Sequence, residues 1–351
     1  MPERRLDELG FYLLAGGATA PAALLDEVRD GEALGLDTAF LSERYNVKEA
    51  ATLAGAAGAT SSELRIATAA TNHNTRHPLV TASHAMTMHR LTGGRYVLGL
   101  GRGIPLMQDA FGIPRITTAQ MEDAAGLLRR LWKGETIVGH DGPAGSWPVL
   151  HLGSEFDDDI PLLLVAFGPE SLKLGGRAFD HVVLHTFFTD ETTARAARTV
   201  HQAAERAGRD PRDVTVWSCL AVVGGHLPEE VRLRKTVGRL AGYLQGYGDL
   251  LVATNGWDPA PLAAFRSDPL VASFAGAIDQ KATTAQLEHV ATLLPEEWLA
   301  PSATGTPEQC VDVVHGQFAL GADAVILHGA TPAELGPVVA AYRAQGVSPP
   351  A

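Results

Sequence analysis

Short apolar runs alternate with longer amphipathic ones along almost the whole chain, and this alternation limits the fold more than any other feature. Strands are expected over 9–14, 38–41, 64–70, 96–101, 162–167, 181–184, 214–223 and 324–327. Helices are expected over 21–34, 48–59, 78–91, 117–132, from near Glu170, over 191–207 and over 307–320. Pro21 and Pro78 sit where the first helical turn accepts proline, and Gly35 and Gly208 lie just past helix ends. Thr306, Pro307 and Gln309 form a capping-box start. The runs Leu162-Leu163-Leu164-Val165 and Ala324-Val325-Ile326-Leu327 are apolar on both faces, as buried parallel strands require. Eight strands alternating with helices predict an α/β fold, a (β/α)8 TIM barrel.

Two segments break the rhythm. Residues 134–159, around Trp147, read as an excursion of hairpin type. Residues 224–305 are too long for one loop and carry two helical patterns, 227–245 and 284–294. They predict a helical insertion before the last strand, within a single domain over 1–351. A small separate domain is the alternative for 224–305.

Composition excludes several classes. The net charge of −12 and the lack of a basic stripe argue against a nucleic-acid partner. The longest apolar stretches are too short for a membrane span, and the N-terminus has no apolar core of a signal peptide. Cys219 and Cys310 have no metal spacing and read as small buried hydrophobes. A reduced, cytoplasmic protein is expected. The excess of Arg over Lys and the abundant Ala suggest a GC-rich bacterial genome.

In a barrel of this type the working residues sit at the C-terminal ends of strands. Those ends carry Ser42-Glu43-Arg44-Tyr45-Asn46, then Ala69-Ala70-Thr71-Asn72-His73-Asn74, Arg102-Gly103-Ile104, Gly168-Pro169-Glu170-Ser171 and His185-Thr186-Phe187. The run Leu98-Gly99-Leu100-Gly101-Arg102-Gly103 lets backbone come close to a flat ligand or phosphate. It is not a dinucleotide fingerprint, because Pro105 and Gly112-Ile113-Pro114 interrupt the helix that motif needs. The Gly168-Pro169 turn opens a helix whose N-terminus suits an anion. Glu43 can position a cofactor or relay a proton, or can simply pair with Arg44. His73 and His77 lack a third ligand, so no metal is expected. The serine-hydrolase elbow and the Walker A loop are both absent.

Phe40-Leu41-Ser42-Glu43-Arg44, Arg65-Ile66-Ala67-Thr68-Ala69-Ala70, Arg76-His77-Pro78-Leu79-Val80 and Leu91 through Gly103 together resemble the bacterial luciferase-like monooxygenase superfamily. Leu131-Trp132-Lys133-Gly134, Gly168-Pro169-Glu170-Ser171, Ala207-Gly208-Arg209-Asp210-Pro211 and Gly305-Thr306-Pro307-Glu308 continue the match. The likeness is nearest to the branch that uses the deazaflavin coenzyme F420. It implies a flavin-type ring across the barrel mouth, a cis peptide matching Ala69-Ala70, and cofactor contacts from Ser42, Glu43, Ala69, Ala70, Thr71, Asn72, Arg102, Gly103, Gly168 and Pro169. Two positions depart from the pattern. A histidine of several deazaflavin enzymes falls on Arg44, and the carboxylate of sugar-phosphate dehydrogenases falls on Ile104. The expectation is hydride transfer between F420 and a small organic substrate, with Glu43 and His73 as candidates for proton transfer. A homodimer is implied by relatives. An FMN-dependent monooxygenase using oxygen, and a catalytically silent flavin-binding barrel, stay open as alternatives.

Overall fold

The computed structural model describes residues 5–274 and 276–346. Residues 1–4, part of the N-terminus read above as carrying no signal peptide, lie outside the described residues. The chain divides into two compact units. One holds the chain up to Val183 together with Arg198–Val216, and the other holds Leu184–Ala197 and the chain from Trp217 onward.

The first unit runs β1 (Leu6–Tyr12), α1 (Ala23–Ala33), β2 (Leu36–Leu41), α2 (Ala50–Thr60), β3 (Arg65–Thr68), α3 (Pro78–Leu91), β4 (Tyr96–Leu100), α4 (Pro105–Phe111) and α5 (Thr118–Trp132). It continues with the hairpin strands β5 (Ile137–Gly142) and β6 (Gly145–Leu150), then β7 (Leu162–Val165), α6 (Pro169–Ala178) and β8 (His181–Val183). Its sheet order is β1-β2-β3-β4-β7-β8, every pair parallel. All residues of β2 and β4 are buried, because a parallel strand is covered on both faces.

The chain goes on with α7 (Asp190–Arg206), β9 (Thr215–Gly224), α8 (Glu229–Leu233) and α9 (Arg239–Asn255). The short helices α10 (Ala260–Ser267), α11 (Pro269–Ser273), α12 (Ile278–Lys281), α13 (Thr284–Ala291) and α14 (Glu296–Leu299) follow. β10 (Ser302–Gly305), α15 (Pro307–Ala319), β11 (Ala324–His328) and α16 (Pro332–Gln345) complete it. In the second unit β9 lies between β10 and β11, again parallel. β1, β2, β3, β4, β7, β8, β9 and β11, with the helices between them, make the eight repeats of a (β/α)8 barrel. The expected Thr306–Gln309 capping box heads α15.

Several expectations need correction. The helix expected over 227–245 is broken: α8 passes through a π-helical turn, Arg234–Gly238, before α9, which runs on to Asn255. The 284–294 helix stops at Ala291. The strands expected to end at Ala70 and Gly101 end at Thr68 and Leu100, where the chain turns into the loops that carry the candidate site. α4 and α16 are additional. The 134–159 excursion contains the antiparallel hairpin β5–β6. Among the described residues no helix is long and apolar enough to cross a membrane.

Candidate functional site

The exits of β2, β3 and β4 are adjacent in the sheet of the first unit, which brings Ser42, Glu43, Ala69, Ala70, Thr71, Asn72 and Gly103 to neighbouring strand ends. The glycine run there has two jobs. A Cβ on Gly99 would stand 1.6 Å from the Thr68 carbonyl oxygen, and one on Gly101 would stand 2.9 Å from the Ala70 Cβ. The Thr71 N–H donates to the Gly99 oxygen and the Gly101 N–H to the Thr71 oxygen, both at 2.9 Å. What comes close to these two glycines is therefore the neighbouring strand exit. Gly103 differs: its φ is +77°, and a Cβ there would lie 2.8 Å from the Tyr45 hydroxyl.

The Ala69-Ala70 peptide bond is cis. The Tyr12 hydroxyl donates to the Ala69 oxygen at 2.5 Å, and the Glu43 N–H donates to the Ala70 oxygen at 3.0 Å. Tyr12 was absent from the sequence candidates, because β1 showed only a strand pattern and its partner lies 57 residues away.

Glu43 pairs with Arg76, not with adjacent Arg44. Its side chain is 5% exposed, and one carboxylate oxygen accepts from Arg76 Nη2 at 3.0 Å and from the Thr71 hydroxyl at 3.3 Å. The other oxygen accepts from the Ala50 N–H at 3.2 Å, at the head of α2. Arg76 also donates to the Thr71 hydroxyl at 3.0 Å and pairs with Glu49. Asn72, 4% exposed, accepts from the Tyr45 hydroxyl at 2.6 Å and donates to the Gly101 oxygen at 2.6 Å. The polar side chains around the Ala69-Ala70 turn thus satisfy one another. Of the turn itself, Ala69 is buried and Ala70 half-buried. Ser42 is half-buried beside it. Arg102 donates to the Thr118 hydroxyl, and its own carbonyl accepts from buried Gln108 at 2.5 Å.

His73 lies in a short 3-10 turn, His73–Thr75, and its partners do not include Glu43. It lines a cavity of about 320 Å3 with Arg76, His77, Thr81, Leu128 and Trp147. Burial holds its pKa below the usual histidine range, and its Nε2 is buried without a hydrogen-bond partner. The Trp147 hairpin closes this cavity, with the His77 ring edge-on to Trp147 and the His140 ring stacked on it. Gly168 and Pro169 open α6, where Gly168 offers no side-chain cap and a Cβ on it would meet nothing within 4 Å. Among the described residues no group of three or more His, Cys, Asp or Glu is placed to hold a metal ion.

The second unit carries a cluster that sequence reasoning only touched at His185. Arg239 and Tyr243 lie one turn apart on α9 and share a face, and Tyr247 stands at a kink in that helix, with φ −156° and ψ 35°. The Tyr247 hydroxyl is 2.9 Å from His185 Nε2, and the Tyr243 hydroxyl is 3.1 Å from His328 Nε2, at the last residue of β11. Burial lowers the His185 pKa to about 4, so its ring is neutral at pH 7. Cys219, also buried, has its thiol pushed up to about 12.

A family model described as luciferase-like monooxygenase matches residues 9–324. The 5,10-methylenetetrahydromethanopterin reductase of Methanolobus tindarius is 23% identical over 303 residues, which cover 84% of this chain and 86% of that protein. The solved structure of the coenzyme F420-dependent tetrahydromethanopterin reductase from Methanopyrus kandleri superposes with a TM-score of 0.79 at 19% identity, covering 96% of this chain and 99% of the other. An F420-dependent secondary alcohol dehydrogenase, solved with an F420-acetone adduct, superposes with a TM-score of 0.69 at 18% identity, covering 95% and 96%.

Proposed function

The chain belongs to the luciferase-like monooxygenase family, and from that premise we propose that it is a coenzyme F420-dependent oxidoreductase acting on a small organic substrate. The observation that carries this reading is the Ala69-Ala70 turn, a pair of small residues among polar side chains that satisfy one another. Names of the relatives in the F420 branch support the choice of coenzyme. The residues present fit such a group. Ala69, Ala70, Ser42 and Gly103 would border its ring, Thr71, Asn72 and Arg102 would frame that border, and the uncapped head of α6 at Gly168-Pro169 would take its phosphate.

When bound, the deazaflavin supplies two-electron hydride chemistry with little reactivity toward oxygen. The chain's own residues orient and protect that chemistry. Glu43 is a positioning residue: its carboxylate is held by Arg76, Thr71 and Ala50, and its N–H fixes the Ala70 carbonyl. His73 is the proton carrier of this proposal, because burial favours its neutral ring and its Nε2 has no hydrogen-bond partner in a residue that lines a cavity. Trp147 shapes the apolar side of that cavity.

The same proposal treats 1–351 as one luciferase-like domain with 224–305 as its insertion, acting in the cytoplasm as a homodimer. Two buried cysteines with thiols raised to about 12 and about 11 suit a reducing compartment. The reaction is tested by mixing the protein with reduced F420 and a panel of ketones, aldehydes and imines in air, following coenzyme absorbance and dissolved oxygen. Acceptor-dependent oxidation of F420 without oxygen uptake is expected. Oxygen consumption with reduced FMN would replace the proposal with a monooxygenase.

A further inference from the structure

Arg239 is the first residue of α9, directly after the π-helical turn Arg234–Gly238, and such turns are enriched at functional sites. Its neighbours on that turn have structural partners. Arg234 donates to the Asp279 and Ala282 carbonyls at 3.0 and 2.9 Å, and Lys235 reaches Glu334 at 2.9 Å and the Gly329 oxygen at 2.9 Å. Arg239 has none of comparable charge. Its Nη1 donates to His328 Nε2 at 3.3 Å, a nitrogen that the Tyr243 hydroxyl also approaches at 3.1 Å. A nitrogen that accepts from a guanidinium is the unprotonated one, so His328 is neutral there. Among the described residues no carboxylate lies within ion-pair distance of Arg239: burial works against its charge, while the Tyr243 hydroxyl, within hydrogen-bond reach, and Asp279, through space, favour it.

Arg239 Nε is buried and has no acceptor. Facing it is Gly329, just past the end of β11, with φ +99°, where even an added Cβ would stay 4.0 Å from Nε. Arg239 as a whole is half-buried, with Nε on its buried side. Buried charges are ordinarily paired, and an unpaired one with an empty donor is the mark of a ligand that completes it.

We propose that Arg239, flanked by Tyr243 and His328, is an anion subsite that takes the carboxylate of a carboxylate-bearing substrate. A carboxylate on the guanidinium edge gives Nε the acceptor it lacks and supplies the missing negative charge, with the two-pronged geometry that suits arginine and not lysine. Tyr243 donates to the same anion once Arg239 swings from His328, and the Tyr247–His185 pair holds the stacked tyrosines in place. A phosphate or carboxylate of the coenzyme shares this chemistry, so the experiment separates the two sources. The proposal rests on the oxidoreductase reading only in calling the ligand a substrate.

The test uses the full chain without coenzyme, with benzoate and inorganic phosphate as probes, read by thermal shift and by calorimetry. Benzoate is expected to raise the melting temperature of the wild type by mass action, and Arg239→Met is expected to weaken its binding at least about tenfold. A structural arginine would lower the melting temperature of the free protein when replaced, whereas Arg239→Met is expected to leave it unchanged or raised, because an unpaired buried charge has been removed. If Arg239→Met does not fold, Arg239→Lys, which keeps the charge and loses the fork, is expected to bind benzoate several-fold more weakly. Equal benzoate affinity in wild type and variants overturns the subsite. F420 titrated into Arg239→Met is expected to bind as in the wild type, and a matching tenfold loss there would assign the anion to the coenzyme and overturn the substrate assignment. Failure of F420 to bind the wild type leaves the benzoate result standing, so the two readings fail separately.

Discussion

Replacing Arg76 with leucine tests the frame on which the candidate site is built. Arg76 is 23% exposed and is the only cation bonded to Glu43 among the described residues, while the Glu43 side chain is 5% exposed. Without it, the Glu43 carboxylate keeps the Thr71 hydroxyl and the Ala50 N–H, two neutral donors at 3.3 and 3.2 Å. Stranding one member of a buried pair costs about 3–5 kcal/mol. The lost bond from Arg76 to Thr71 adds about 1 kcal/mol, and the half-exposed Glu49 partner adds little. Arg76→Leu is therefore expected to lose about 5 kcal/mol at pH 7.5 in urea unfolding followed by tryptophan fluorescence. Adding Glu43→Gln removes the stranded charge and keeps an oxygen for the Ala50 N–H, so the double variant is expected to recover about 2 kcal/mol of that loss. A loss under about 1 kcal/mol, or a double variant no more stable than the single one, would refute the reasoning.

Three further outcomes follow from the geometry. Gly103→Ala meets the Tyr45 hydroxyl at 2.8 Å with φ at +77° and is expected to lower the melting temperature by several degrees, whereas Gly168→Ala enters open space and should change it little while weakening coenzyme binding in a fluorescence titration. His181 and His185 have folded pKa values lowered to about 4 by burial, so their contribution is complete above the unfolded value and is lost as pH falls toward 4, by about 3 kcal/mol each. His185→Gln should flatten the fall in unfolding free energy between pH 6.5 and 4 by one proton, and an unchanged slope would rule out His185 as a source. Burial lowers Lys48 to about 8 while its ammonium donates to the Leu13 and Ala15 carbonyls, so the unfolded chain binds the extra proton above pH 8 and stability from this group rises with pH from 8 toward 10.5. Lys48→Met should remove that rise in denaturation curves taken across the same range.

Local signals carried much of the fold. Proline at the first turn of α3 and the Thr306–Gln309 box of α15 placed those helix starts, because capping is settled within four residues. The same logic was missed at α4: Pro105 and Gly112 look like breakers in sequence, yet Pro105 occupies the first turn and Gly112 is the left-handed C-cap. α16 has an equally good Thr331–Glu334 box, but Pro337 inside it hides the helical pattern. The strand pattern places Glu43, Ala69, Ala70 and Gly103 at or just past strand exits, and the structure has them there. Arg76, 33 residues from Glu43, and Tyr12, 57 residues from Ala69, were not readable from that pattern, since only the closing of neighbouring strands brings them together. Gly99 and Gly101 suggested a ligand in sequence because a missing Cβ does not say whether a ligand or another strand will fill the space. The Arg239 face of α9 was hidden because the helix break before it blurred the periodicity of 227–245.

The central claim is that this barrel holds a deazaflavin at the exits of β2, β3 and β4. The most direct measurement is a titration of the purified protein with oxidised F420 and, separately, with FMN, following coenzyme fluorescence and absorbance, in the wild type and in Gly103→Ala. Saturable binding of F420, weak binding of FMN and a clear loss of F420 affinity in Gly103→Ala are predicted. Preference for FMN, or binding of neither coenzyme, would contradict it.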